Sequence, residues 1–294
     1  MKYLSVVEVA EKWNISDRSV RNYCAHGRVP GAFLTGKTWN IPADSVKPER
    51  EVQTSENSLL KALREQKNIG LKGGIYHKTQ VELTYNSNHI EGSKLTQDQT
   101  RFIFETNTIG TEDKAVNVDD IIETTNHFKC IDYVIDNANK KLSENFIKDL
   151  HFILKTGTSY SRKSWFNVGE YKKLPNEIGG RQTTLPENVK EEMKKLIDNY
   201  NSLKIKSLKD IVEFHKHFED IHPFQDGNGR IGRLIMFKEC LNNNVVPFII
   251  DEDSKFFYYK GLNEWHYEKG FLIETCLSAQ DKYKKYLDYF KIKY

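Results

Sequence analysis

Residues 222–233 read His222-Pro223-Phe224-Gln225-Asp226-Gly227-Asn228-Gly229-Arg230-Ile231-Gly232-Arg233. Gly227, Asn228 and Gly229 fall where a loop turns into a helix. Glycine lets backbone approach a ligand closely, and the unpaired N–H groups of a helix start favour an anion. Arg230 and Arg233 stand three apart on the new helix, so both are expected to face that anion. Asp226 supplies a hard oxygen ligand of the kind Mg²⁺ takes. His222 ends the preceding helix, four residues before the carboxylate, with a side chain suited to accepting a proton at neutral pH. An anion cradle, a metal ligand and a base within twelve residues suit nucleotide chemistry on a hydroxyl nucleophile.

The flanking sequence is helical. Ile211, Phe214, Phe218 and Ile221 step by three and four, an apolar stripe on one helix that Pro223 interrupts. Ile231, Leu234, Ile235 and Leu241 mark the helix after the loop. The fold class expected is mainly α.

The string resembles the signature of the Fic family, HxFx(D/E)GNGRxxR, at every defined position. The resemblance extends over roughly residues 80–275. It implies a helical Fic-type domain over residues 59–294 with a β-hairpin flap, and a protein adenylyltransferase using ATP with Mg²⁺. Carried over by position, His222 would be the general base toward a Tyr, Ser or Thr hydroxyl of a target protein, the enzyme itself included. Asp226 would hold Mg²⁺. Gly227, Asn228 and Gly229 would hold phosphate oxygens, and Arg230 and Arg233 the outer phosphates. Gly169-Glu170-Tyr171-Lys172 is similar to the family's GxYR element, with Lys172 in place of Arg, so no bidentate contact is carried over. Ile178-Gly179-Gly180 would form the flap, which aligns the target segment by strand pairing. Tyr258 and Tyr259 resemble the pair that borders the adenine.

Upstream, Ser87-Asn88-His89-Ile90-Glu91-Gly92 resembles the family's inhibitory motif, (S/T)xxxE(G/N). Ser87 and Glu91 are four apart and share a helix face, on an inhibitory helix near residues 80–92. The resemblance implies that Glu91 pairs with Arg233, removes a γ-phosphate partner and keeps basal activity low. Relatives with this arrangement often dimerise, which implies a homodimer.

Residues 1–47 form a separate pattern, followed by a polar linker over residues 48–58. Ser5 and Glu8 make a capping box, and Val6, Val9 and Ala10 share one side of a first helix. Asn14-Ile15 breaks it. A second helix runs from Ser16 to about Cys24 with Arg18, Arg21 and Asn22 on one face. Strands are expected at Ala32–Leu34 and Thr38–Ile41. The order resembles the excisionase/MerR-like winged helix-turn-helix family, which implies DNA contact through Arg18, Arg21 and Asn22. Residues 1–50 hold eight Lys/Arg against five Asp/Glu and carry the whole net charge of +3. Gly31 to Thr38 also fits the P-loop pattern letter for letter. That motif needs a helix opening at its Lys-Thr, and Trp39-Asn40-Ile41-Pro42 is extended instead.

Composition narrows the classes further. No apolar run is long enough to span a bilayer, and Met1 to Lys12 lacks the apolar core of a secretory signal, so a cytoplasmic protein without membrane contact is expected. Cys24, Cys130, Cys240 and Cys276 are scattered without a CxxC pair and read as reduced, mostly buried thiols. His215 and His217 are two apart on a helix and point to different sides, which argues against zinc. Two other readings remain. One is a Fic enzyme using another nucleotide, a phosphocholine donor, or phosphate transfer as in the Doc branch. The other is a DNA-binding regulator that uses a Fic fold to sense nucleotide.

Overall fold

The computed structural model describes residues 2–25, 27–36, 38–48, 57–111 and 115–294. The expected linker lies mostly outside them, as do Lys37 and the side chains of Arg18 and Asn22. The chain divides into two compact units, Met1–Thr54 and Ser55–Tyr294.

The first unit runs β1 (Tyr3–Leu4), α1 (Val6–Trp13), α2 (Asp17–Ala25), β2 (Phe33–Thr35) and β3 (Thr38–Pro42). Glu8 accepts from the Ser5 N–H at 2.7 Å while its own N–H donates to Ser5 Oγ at 3.4 Å, which closes the capping box at α1. Asn14, at φ 51°, ends the helix in the left-handed region that Asn tolerates. The three strands form an antiparallel sheet in the order β1-β3-β2. β2 lies one residue further on than the expected Ala32–Leu34, without Ala32, and β3 ends one residue later than expected, because pairing continues to Thr35↔Thr38 and Tyr3↔Pro42. β1 was not expected, since two residues are too few to show alternation. Val6, Val9, Ala10, Trp13, Val20, Cys24, Val29 and Ile41 make this unit's own core. The P-loop look-alike spans β2, its turn and the start of β3, and no helix follows it.

The second unit is helical: α3 (Ser58–Asn68), α4 (Ile75–Ile90), α5 (Gln97–Thr106), α6 (Val118–Asn137), α7 (Glu144–Lys155), α8 (Pro186–Ser202), α9 (Leu208–Ile221), α10 (Asn228–Asn242), α11 (Glu252–Glu264) and α12 (Gly270–Tyr289). A two-residue hairpin, β4 (Glu177–Ile178) and β5 (Arg181–Gln182), precedes α8. Gly179 and Gly180, at φ 55° and 78°, supply the two left-handed residues that the tightest hairpin turn requires. α10 is the central element, packed on α9, α6, α4 and α7. Every residue from Arg230 to Leu241 is buried, which is why its pattern lacks a polar face. The expected stripe of α9 (Ile211, Phe214, Phe218, Ile221) points into this core. All four cysteines are buried and free. Among the described residues no helix is long and apolar enough to cross a membrane.

Candidate active site

The site is built where α9 stops and α10 starts. His222 caps α9 at φ 50° and ψ 62°, its N–H donating to Phe218 O at 2.9 Å. A left-handed histidine carries backbone strain. It is held because Pro223 has no N–H with which to extend the helix and Phe224 is locked below. The Phe224 ring is fully buried and stacks on His151 at 4.0 Å and 4°. Asn228 closes the loop: its Oδ1 accepts from Phe224 N and its Nδ2 donates to Phe224 O, both at 2.8 Å. Both polar ends of the Asn228 side chain thus bind the loop backbone. Gly227, at φ 86°, starts α10 and leaves its first N–H groups unpaired by any side-chain cap.

Under this loop lies a group of four charges. Lys155, at the end of α7, donates to Glu123 of α6 and to Asp226 Oδ2 at 2.5 Å. Arg230 donates to Glu123 and lies 3.5 Å from Asp226 Oδ2. Burial alone would push Asp226 up. Arg230 and Lys155 outweigh it and hold the carboxyl at about 2, so it is ionised at neutral pH. His151 accepts from the Gly169 N–H at Nδ1 (2.9 Å), so its Nε2 carries the proton and donates to Asp226 O at 3.2 Å. Glu123, Lys155 and His151 lie far from the signature in sequence, and nothing in their local pattern marks them.

The second arginine has other partners. Arg233 donates through Nε to Ser87 Oγ (3.0 Å) and through Nη2 to Ser87 O (2.9 Å) and Glu91 Oε1 (2.7 Å). The i, i+3 spacing thus does not aim Arg230 and Arg233 at one point. Both are buried, and each faces its own carboxylate. Glu91 Oε1 also sits over the first turn of α10, where a Cβ on Gly229 would collide with it. A carboxylate thus occupies the helix start that was read as an anion cradle.

His222 is neutral at physiological pH. Burial, then the nearby Lys172 ammonium, lower it to about 4. Its Nδ1 is buried without a hydrogen-bond partner, and the nearest carboxylate, Glu219 Oε2, is 3.9 Å away. That distance is beyond a hydrogen bond. Glu219 itself is pushed up to about 8 by burial and by Glu91, so it is a neutral acid at pH 7. Lys172 is buried, and its Nζ donates to Asn176 Oδ1 (2.7 Å), Thr183 Oγ1 (2.6 Å) and Ile221 O (3.4 Å). Its N–H donates to Pro223 O at 2.9 Å. One lysine therefore ties both feet of the β4–β5 hairpin to the end of α9. Burial lowers it to about 8.

Ile178 and Gly179 lie on that hairpin, and Arg181 Nη2 reaches Asn263 Oδ1 of α11 at 3.2 Å. The tyrosine pair divides. Tyr258 is buried, with its hydroxyl 2.7 Å from His215 Nε2 and its ring 6.0 Å from the Arg233 guanidinium carbon. Its expected place beside an adenine is corrected: the ring is walled in by core residues. Tyr259 is 39% exposed and donates to Ile90 O at 3.4 Å. Among the described residues no group of three His, Cys, Asp or Glu forms a metal cage. Asp226, ionised and 44% exposed at its side chain, fits Mg²⁺ bound by one carboxylate together with substrate phosphates.

Comparison with known proteins places this geometry in a class. Residues 141–240 match the Fic/DOC family, and the helical unit around them has the Fic fold. A Fic-domain-containing signalling protein from Bacteroides thetaiotaomicron superposes with a TM-score of 0.58 at 26% identity, covering 78% of this chain and 90% of that one. Fic-1 from C. elegans superposes at 0.61 and 18% identity, covering 80% and 73%. Among curated proteins, the protein adenylyltransferase Fic of Nematostella vectensis is 25% identical over 184 residues, 61% of this chain and 42% of that protein. The protein of the same name from Drosophila willistoni is 27% identical over 183 residues, 60% and 34%. The chain spans less than half the length of these curated relatives.

Proposed function

We propose that the second unit transfers AMP from Mg²⁺–ATP to a Tyr, Ser or Thr hydroxyl of a protein, and that Glu91 restrains it. The observation that carries this reading is a neutral His222 fixed at the end of α9, beside an ionised Asp226 and the glycine-flanked start of α10, over which Glu91 lies. The names of the curated relatives point the same way.

In this mechanism His222 takes the hydroxyl proton as the oxygen attacks the α-phosphorus. A new P–O bond forms, the bond to the β-phosphate breaks, and pyrophosphate leaves. Asp226 would hold Mg²⁺, which when bound offsets charge on the phosphates and on the leaving group. The backbone N–H groups at Gly227–Gly229 stabilise the phosphate oxygens. Lys172 holds the hairpin that would align the acceptor segment. Arg233 serves the γ-phosphate once Glu91 has left it. Until then the 2.7 Å pair blocks both the arginine and the helix start.

The test is label transfer from α-labelled ATP by wild type, Glu91→Gly and Glu91→Gly/His222→Ala, with Mg²⁺, alone and with lysate. Labelling by Glu91→Gly at least ten-fold above wild type, and lost with His222, is the expected outcome. Equal labelling by wild type and Glu91→Gly removes the restraint from the reading. Silence in every lane, with γ-labelled ATP and other nucleotides silent as well, overturns transfer. It would favour a nucleotide-sensing DNA-binding regulator instead, a role that the helix–helix–hairpin order of the first unit, with Arg21 exposed on α2, would suit.

A further inference from the structure

Lys155 is buried to 1% exposure, yet no step of the mechanism above uses it. Its ammonium bridges two carboxylates from different elements, Glu123 of α6 and Asp226 of the active loop. The Tyr160 and Phe166 ring centroids lie 5.5 and 5.7 Å from Nζ. The stem is pinned as well: Cδ would lie 3.6 Å from a Cβ at Gly227, so the side chain runs directly beneath the loop. Two negative and two positive groups (Glu123, Asp226, Lys155 and Arg230) make this cluster neutral as it stands.

We propose that Lys155 guards the metal side of the site: its ammonium is shared by Asp226 and Glu123 and offsets their charge, so that the nucleotide-free protein binds free divalent metal weakly. Two carboxylates close enough to share one ammonium nitrogen are close enough to share a metal ion. With Lys155 between them, an incoming divalent cation meets two fixed positive charges, Lys155 and Arg230, both buried and so little screened by water. Nucleotide phosphates bring the negative charge that offsets this, so metal enters only together with nucleotide. The wasteful alternative, a site filled by free metal and closed to Mg²⁺–ATP, is avoided. This inference rests on the reading of Asp226 as the metal ligand.

The probe is Mn²⁺, followed by the paramagnetic resonance of the free ion in titrations of the full chain, without nucleotide and then with a non-transferable ATP analogue. The proposal expects Lys155→Met to bind Mn²⁺ without nucleotide at least ten-fold more tightly than wild type. Lys155→Arg, which keeps the charge, stays near wild type. Lys155→Met/Glu123→Gln loses the gain, because bridging needs both carboxylates. Micromolar binding of free Mn²⁺ by wild type overturns the proposal without recourse to any variant, as does a Lys155→Met protein of native circular dichroism with no gain. Asp226→Asn separates the two levels. If it abolishes nucleotide-dependent Mn²⁺ binding while Lys155→Met shows no gain, Asp226 is the ligand and Lys155 does not guard it. If it leaves that binding unchanged, the Asp226 reading falls and the proposal falls with it.

Discussion

His222 owes its chemistry to the point at which α9 stops. Its left-handed cap conformation buries it beside Lys172, and burial first, then that ammonium, hold the imidazole neutral down to about pH 4. A base with the ordinary histidine value near 6.5 would lose activity through mildly acid pH. Measured on a Glu91→Gly background, kcat/KM at pH 6 should stay within about two-fold of its value at pH 7.5. An acid limb centred near 6.5 would sink this assignment. Lys172→Met removes the neighbouring charge, so His222 should titrate higher and the limb should move up in pH. The same change frees both feet of the hairpin, so KM for the protein acceptor should rise more than KM for ATP. Identical pH profiles and an unchanged acceptor KM would show that Lys172 does neither. The signature made His222 and Asp226 legible in sequence. Lys172 was legible only as a departure from a family pattern, because its role depends on Asn176, Thr183 and Ile221 converging on one nitrogen.

At the scale of elements, the helices meet through glycine. A Cβ on Gly261 of α11 would lie 2.7 Å from the backbone N and Cα of Leu272 in α12, and backbone cannot swing aside. Gly261→Ala should therefore cost about 1–3 kcal/mol despite the better helix propensity of alanine. Gly270→Ala is the control: its Cβ would meet only the exposed Glu268 side chain, which can swing away and leave the Gly270 N–H it now accepts from to water, and the change should stay within about 0.5 kcal/mol. Urea denaturation of both variants checks the pair, and equal effects would refute the packing argument. Gly232 of α10 differs: what lies close to it are the side chains of His215 and Glu219 of α9, not backbone. The α9 stripe, the break at Pro223 and the helix after it were readable from period and punctuation. The contact between Gly261 and Leu272 was not, since a mid-helix glycine looks the same whether or not another backbone leans on it.

For the whole helical unit, acid is the predicted weakness. His127, His151 and His215 are lowered to about 3 and His222 to about 4, in each case first by burial. Each is neutral in the folded unit but protonates near 6.5 once unfolded, so stability is complete above that value and falls as pH drops toward the folded values. Glu219 works in the opposite sense: raised to about 8, it penalises the fold as pH climbs from 4.5 through that value. Four histidines outweigh one glutamate, and the unit should lose several kcal/mol between pH 7 and pH 5. Urea midpoints at the two pH values measure this, and equal midpoints would mean that the histidines titrate freely. Which residues are candidates for chemistry was determined by sequence alone: a histidine at a helix end, an aspartate beside a glycine-rich helix start and a glutamate one helical turn beyond a serine. Those signals are local, a few residues set by backbone geometry and spacing. Which charges face one another was decided only by the tertiary structure. Arg230 turns to Glu123 and Arg233 to Glu91, Asn228 is spent on its own loop, and Lys155 sits on Asp226. The partners come from α4, α6 and α7, far away along the chain, and a buried charge takes whichever opposite charge packing brings within reach.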